Sequence, residues 1–98
     1  MIRVVYRWRV AEENFEEFKA LWRATTNEIH ESVDGALGSF MLRSFEDKTE
    51  VTTIAKWDSY ASWEAFWGNQ NPEQMQAMRA LGERISAEAF EEVEDHTR

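Results

Sequence analysis

The sequence predicts an α+β domain in which one antiparallel sheet carries its helices on a single face. Two observations predict this class. The hydrophobic period switches along the chain between the alternation of strands and the roughly 3.6-residue repeat of helices. The resulting order is strand, helix, strand, strand, helix or helices, strand. This is the order of the split βαβ, or ferredoxin-like, arrangement.

The first strand is predicted over residues 2–10, where apolar and charged side chains alternate. One parity carries the three arginines Arg3, Arg7 and Arg9. The other parity carries the apolar residues Ile2, Val4, Tyr6, Trp8 and Val10. Strict alternation of this kind predicts a strand with one buried face.

A long amphipathic helix is predicted next, because apolar residues recur at every third or fourth position. They are Phe15, Phe18, Trp22, Thr25, Ile29 and Val33. Glutamates at the start of this segment suit the positive end of the helix dipole, and Gly35 after Asp34 suits a C-terminal cap.

Two further strands are predicted over residues 39–46 and 51–57, joined by the polar turn Asp47-Lys48-Thr49. A short, aromatic-rich helix should follow, with Asp58 or Ser59 as its N-cap and Gly68 at its end. The connection by a short turn makes the two strands an antiparallel hairpin.

The last elements are a second short helix and a tail. Asn71-Pro72-Glu73 is typical of a helix start, and Gly82 is expected to end that helix. The tail over residues 85–96 fits either a helix or an edge strand, and Phe90 among acidic residues favours the strand.

These elements predict a single domain over residues 1–98 with helices on one face of its sheet. The opposite face would expose apolar side chains over an area that is rare on monomers. A second copy related by a two-fold axis is the simplest cover for such a face. We therefore expect a homodimer through the open sheet face, the arrangement of a dimeric α+β barrel.

The composition excludes several classes of function. The net charge of −8 opposes nucleic acid and anionic lipid surfaces, and no apolar stretch is long enough to span a membrane. We expect no nucleic-acid partner, no membrane partner and a cytoplasmic location. The chain has no cysteine and only two histidines, His30 and His96, so a metal site is not expected.

Several segments resemble the antibiotic-biosynthesis monooxygenase family of the dimeric α+β barrel superfamily. They are the strand at residues 3–10, the Phe15-x-x-Phe18-x-x-x-Trp22 helix, the segment at residues 34–40, and residues 55–59, where Trp57 ends a strand before a serine-capped helix. The resemblance covers most of the chain and implies the dimeric barrel fold.

The resemblance also implies a chemistry. Monooxygenases of this family hold polycyclic phenols between sheet and helices without a cofactor, and O2 attacks the electron-rich deprotonated ring. Trp57 matches a tryptophan that lines this pocket in polyketide-oxidising members, whereas Thr53 stands where they carry an amide and Trp63 where they carry a tyrosine. The histidine of haem-degrading relatives has no counterpart over residues 72–81, and the histidine of quinol-oxidising relatives has none over residues 68–72.

An aromatic set is the strongest candidate for a ligand site. It consists of Tyr6, Trp8, Thr53, Trp57, Trp63 and Trp67. These residues would suit a flat aromatic or hydrophobic ligand if they line one side of the sheet and the helix above it, and the alternative is that they only fill the core.

Two polar candidates accompany the aromatic set. Arg7, with Arg3 and Arg9, would either pair with acidic residues or capture a carboxylate or phenolate substrate. His30 is the weak candidate for a catalytic general base, and a surface position on the helix is the alternative.

The sequence thus leaves two functions open. The first is a cofactor-independent monooxygenase that acts on an aromatic or quinol-type molecule. The second is a non-catalytic dimer that binds a hydrophobic metabolite or serves as a scaffold.

Overall fold

Alternating burial along the first strand, β1 (Ile2–Val10), confirms the predicted period. This computed structural model describes residues 1–68 and 73–97, with backbone only for residues 73–75. The buried parity of β1 forms the centre of the core, and it consists of Ile2, Val4, Tyr6, Trp8 and Val10. The strand is central in an antiparallel sheet, as a fully alternating strand with one buried face should be.

The sheet has the order β2-β3-β1-β4, in which β2 is Ala36–Arg43, β3 is Glu50–Trp57 and β4 is Gly82–Glu91. The helices are α1 (Phe15–Ser32), α2 (Tyr60–Gly68) and α3 (Glu73–Leu81), and a 3₁₀ turn over Glu12–Asn14 precedes α1. Four antiparallel strands with helices inserted in this order confirm the ferredoxin-like α+β fold.

Helix α1 lays its apolar stripe on the sheet. Phe15 and Phe18 are buried, and the ring of Phe18 meets that of Trp8 edge-on at a centroid distance of 5.1 Å. Edge-to-face pairs at this distance stabilise a core beyond the area they bury. The predicted asparagine–proline start of α3 lies outside the described residues.

Strand β2 runs earlier than the predicted 39–46. Gly35, at a φ of 89°, turns the chain directly after α1, and its carbonyl accepts a hydrogen bond from Asp58 N at 2.9 Å. Pairing therefore begins at Ala36 opposite Trp57. At the other end, the hydroxyl of Ser44 accepts hydrogen bonds from the backbone N–H groups of residues 46 and 47, which replaces the strand by a turn.

Strand β4 also starts earlier than predicted, and the strand interpretation of the tail is confirmed only as far as residue 91. Gly82 begins β4 directly after α3 and lies opposite Val10. A Cβ atom at Gly82 would come within 2.9 Å of Val10 Cγ2. The tail beyond β4 instead supplies Glu92 and Asp95 to Arg3, at 2.6 Å and 3.6 Å.

The face of the sheet away from the helices carries the second parity of each strand. Val5 of β1, Ile54 of β3 and Phe40 of β2 are in register across this face. Phe40 and Leu42 are exposed there at 45% and 51%. An apolar row across an uncovered sheet face matches the surface predicted for contact with a second copy.

Candidate functional site

A cavity of about 60 Å³ lies between the helix-covered face of the sheet and the helices. The sheet contributes Tyr6 and Trp8 from β1 and Thr53 and Trp57 from β3 as its floor. The helical side contributes Trp22, Thr25, Thr26, Ile29, His30, Phe66 and Met78. Residues of α1, α2 and α3 and of the two central strands, β1 and β3, therefore line the cavity.

The floor of the cavity follows from strand parity and register. Tyr6 lies opposite Thr53, and Trp8 and Trp57 extend from the same face of the sheet. Residues two apart in one strand and residues opposite in the next strand share a face. The sequence prediction that Tyr6, Trp8, Thr53 and Trp57 line one side of the sheet agrees with this placement.

Tyr6 provides a hydroxyl at the cavity wall. Its oxygen accepts a hydrogen bond of 3.1 Å from Trp63 Nε1, and the side chain is 7% exposed. Burial raises the pKa of Tyr6, although the hydrogen bond from Trp63 and the charge of Arg84 act in the opposite direction. The phenol is therefore neutral near pH 7, and its own hydrogen remains available to a ligand oxygen.

Trp63 and Trp67 do not line the cavity, but both contact Tyr6, which does. Their rings stack at 5.6 Å and 22°, and Trp67 meets the ring of Tyr6 at 5.8 Å. The sequence predicted that both residues line the ligand site from the helix above the sheet. Their position on α2 places them on the far side of Tyr6, where they fix its orientation.

Thr53 is the other polar group of the floor. It is 3% exposed, and within the described part of the chain no side-chain hydrogen bond involves its hydroxyl. A threonine hydroxyl at the wall of a cavity is suited to binding a polar atom of a ligand or a water molecule.

The cavity is small for an aromatic ligand in this conformation. A protein cavity of roughly 150 Å³ accommodates benzene, and the cavity here is about 60 Å³. Its lining includes the large side chains of Trp22, Phe66 and Met78. Entry of a ring system therefore requires rotation of some of these side chains.

His30 is an exposed residue of α1 that also lines the cavity. The imidazole has the surface position that was the alternative to a catalytic role, and it also borders the cavity. Among the residues described, no group of three or more His, Cys, Asp or Glu side chains is placed to hold a metal ion.

Arg7 lies on the opposite face of the sheet, separated from the cavity by the strand itself. Its side chain is exposed and does not line the cavity. The ion-pair interpretation holds for Arg3, which binds Glu92, and Arg9 lies 3.9 Å from Asp47. The structure therefore does not bring Arg7 together with the aromatic residues.

The sequence model of the antibiotic biosynthesis monooxygenase family matches residues 1–81. This chain belongs to that family. No curated protein matches its sequence.

Several solved structures superpose on most or all of the chain. A point mutant of SnoaB, a cofactor-independent oxygenase from Streptomyces nogalater, has a TM-score of 0.81 at 17% identity and covers 99% of this chain and 97% of its own. A candidate antibiotic biosynthesis monooxygenase from Deinococcus radiodurans has a TM-score of 0.78 at 14% identity, with coverages of 100% and 98%. A conserved protein from Methanosarcina mazei has a TM-score of 0.71 at 19% identity, with coverages of 91% and 87%.

In this family member, sequence reasoning missed the helical half of the cavity. Trp22, Ile29 and Phe66 were recognised as apolar helix residues but not as cavity lining. Helical periodicity shows which side of a helix faces the sheet, and it does not show where the two layers fail to touch.

In the described residues, no helix is long and apolar enough to cross a membrane.

Proposed function

We propose that this protein is a cofactor-independent monooxygenase that oxidises an aromatic or quinol-type molecule in the cavity above Trp57. The observation that carries the proposal is an aromatic cavity with a few polar groups, between sheet and helices, in a chain of the antibiotic biosynthesis monooxygenase family. Apolar walls with few directed polar groups are typical of small-molecule sites.

The polar groups have separate roles in this proposal. The hydroxyls of Tyr6 and Thr53 bind the oxygen of the ligand from the floor of the cavity. His30, at the mouth, accepts the phenolic proton of the substrate, which leaves an electron-rich ring anion. O2 adds to a ring carbon of this anion, and the resulting peroxide takes up the proton held by His30. Loss of the hydrogen on that carbon as a proton breaks the O–O bond, so one oxygen atom stays in the product as a carbonyl and the other leaves with two protons as water. The electrons that reduce O2 come from the substrate.

Oxygen consumption with a quinol and with anthrone tests the proposal, with a protein-free blank that measures spontaneous oxidation. We expect a rate above the blank that depends on protein concentration. The variant Ala55→Leu should lose this rate, because Ala55 lines the cavity and a larger side chain would fill the cavity. Rates equal to the blank for wild-type protein would contradict the proposal.

A non-catalytic ligand-binding dimer is the second candidate. It is favoured by Thr53 and Trp63, which stand where polyketide-oxidising members carry an amide and a tyrosine. Measurable binding of anthrone by calorimetry without oxygen consumption would support this function over the first.

Tyr6→Phe is expected to weaken ligand binding about fivefold, because the variant lacks a hydroxyl whose hydrogen bond contributes on the order of 1 kcal/mol. Calorimetric titration measures the change. Tyr60→Phe is the matched control, since Tyr60 also contacts the ring of Trp63, at 5.6 Å, but is exposed. Equal affinities for Tyr6→Phe and wild-type protein would remove Tyr6 from the site.

The open sheet face is proposed to bind a second copy of the chain. Phe40→Asp is expected to convert a dimer into a monomer in analytical ultracentrifugation, because it places a charge in the centre of an apolar contact. Phe45→Asp is the control, since Phe45 is fully exposed in the β2–β3 loop. A monomeric wild-type protein would refute this assembly.

A further inference from the structure

Arg84 is a partly buried cation on the helix-covered face of the sheet. Its guanidinium lies 4.7 Å from the ring centroid of Trp67, and its Nη1 is buried without a hydrogen-bond partner. In the described part of the chain no carboxylate lies within ion-pair distance of it. Burial lowers the pKa of Arg84, and the charge of Arg79 acts in the same direction. An arginine nevertheless stays charged in proteins, so a positive charge with no carboxylate partner among the described residues persists at this position.

A β-bulge directs Arg84 towards the helices. Arg7 lies opposite Ser86, but the next residue, Trp8, lies opposite Arg84, so Ile85 is an extra residue in β4. Regular pairing would place Ile85 opposite Trp8 and would turn Arg84 to the open face. The bulge instead exposes Ile85 at 53% and buries part of a cation. Bulges that reorient a side chain against hydrophobic preference are frequent next to functional sites.

A second unpaired donor lies on the neighbouring strand. Trp8 is the cross-strand partner of Arg84 and is 1% exposed, and its Nε1 has no hydrogen-bond partner. Trp8 and Tyr6 both line the cavity, and Arg84 lies close enough to Tyr6 to influence its phenol. The β1 wall of the cavity thus carries the O–H donor of Tyr6, and the buried N–H of Trp8 and the positive charge of Arg84 lie close by. Buried donors without partners are rare in native proteins and favour a ligand that completes them.

We propose that Arg84 makes the cavity selective for an aromatic ligand that binds as its anion. Tyr6 donates a hydrogen bond to the ionised oxygen, and the nearby guanidinium of Arg84 stabilises its negative charge without entering the cavity. A charge that acts across a water-poor layer is weakly screened, and hydrogen bonds to an ionised acceptor are stronger than neutral ones. This inference rests on the proposed function only in that the ring occupies the same cavity.

Calorimetric titration with two probes tests the selectivity. Lawsone is a hydroxynaphthoquinone that is ionised at neutral pH, and its methyl ether has the same rings but stays neutral. We expect wild-type protein to bind lawsone about tenfold more tightly than the ether, a difference that one hydrogen-bonded charge accounts for. Arg84→Met should abolish this preference with unchanged affinity for the ether, and Arg84→Lys should restore part of it.

Arg43→Met is the matched control. The guanidinium of Arg43 also lies over an aromatic ring, 4.0 Å from the centroid of Phe15, but this residue is exposed on the edge strand β2. Its loss should leave the preference for lawsone intact. Arg84→Met should also unfold at the same temperature as wild-type protein or higher, because a buried charge without a partner is destabilising.

The outcomes separate this inference from the oxygenase proposal. Equal affinity for both probes in wild-type protein, or a preference that persists in Arg84→Met, overturns the anion selectivity and leaves the aromatic cavity in place. Binding of neither probe overturns both proposals. An Arg84-dependent preference without any oxygen consumption supports the anion site and contradicts the oxygenase.

Discussion

Replacing His30 with alanine is expected to lower the rate of oxygen consumption about 100-fold or more while the affinity for the ligand changes little. General bases contribute roughly 10²–10⁴ to enzymatic rates. His30 is the only histidine among the described residues that lines the cavity, and its exposed position lets the proton it accepts pass to water. Ligand affinity depends instead on the floor of the cavity. Steady-state kinetics therefore measure the effect as a loss of kcat with a nearly constant KM.

The control for this substitution is His96→Ala. His96 is exposed in the C-terminal tail, where it contacts Glu94 at 2.9 Å, and it does not line the cavity. This variant should keep the wild-type rate. If His30→Ala also kept that rate, the imidazole would be a surface group of α1, and proton transfer to water or to another group would replace it in the mechanism.

Gly35→Ala is expected to lower the melting temperature by about 10 °C or more. The backbone at Gly35 has a φ of 89°, which costs an alanine on the order of 1–2 kcal/mol. A Cβ atom there would also lie 2.6 Å from Ser62 Cβ and from Asp58 Oδ1, so the start of α2 would have to move. Overpacking of this kind costs about 1–3 kcal/mol more, and each kcal/mol lowers the melting temperature of a domain this size by roughly 4–8 °C.

Substitutions at two other glycines distinguish the backbone strain from the steric overlap at Gly35. Gly38 has a φ of 114° but open space around its Cβ position, so Gly38→Ala measures the backbone strain alone. Gly68, at the end of α2, also has open space, and alanine there should not destabilise the protein. Calorimetric melting of the three variants should rank Gly35→Ala as the least stable. A loss equal to that of Gly38→Ala would show that α2 adapts to the added methyl group.

Prediction from the sequence succeeded where a single element decides the outcome. The alternation in β1 placed Tyr6 and Trp8 on the buried face, and the turn at Gly35 was expected. Prediction failed where the outcome depends on how two elements pair with each other. Strand β2 starts three residues earlier than expected because Ala36 pairs with Trp57, a contact between distant parts of the chain. Strand register depends on such pairing and not on the composition of one segment.

The residues of the candidate site also fall into those that one strand predicts and those that depend on packing between elements. Strand parity predicted the face of Tyr6 and Trp8 in β1, and the family resemblance pointed to Thr53 and Trp57, which β3 places on the same face of the sheet. Parity also separates Arg7 from the floor of the cavity, because arginines and aromatic residues alternate in β1. The position of Arg84 was not predictable in this way, because the bulge at Ile85 reverses the parity of β4 at that point. Trp63 and Trp67 share the apolar composition of cavity residues, and only the packing of α2 places them behind Tyr6.

The sequence by itself determined the α+β class, the order of the elements, the family and the aromatic face of the sheet, because these follow from local periodicity and short motifs. The tertiary structure decided which of those residues border an open space, how small that space is, and that a positive charge with no ion-pair partner in the described part of the chain lies near its Tyr6 wall. The physical reason is that a cavity and an unpaired charge are properties of the distances between elements, which no periodicity within one element records.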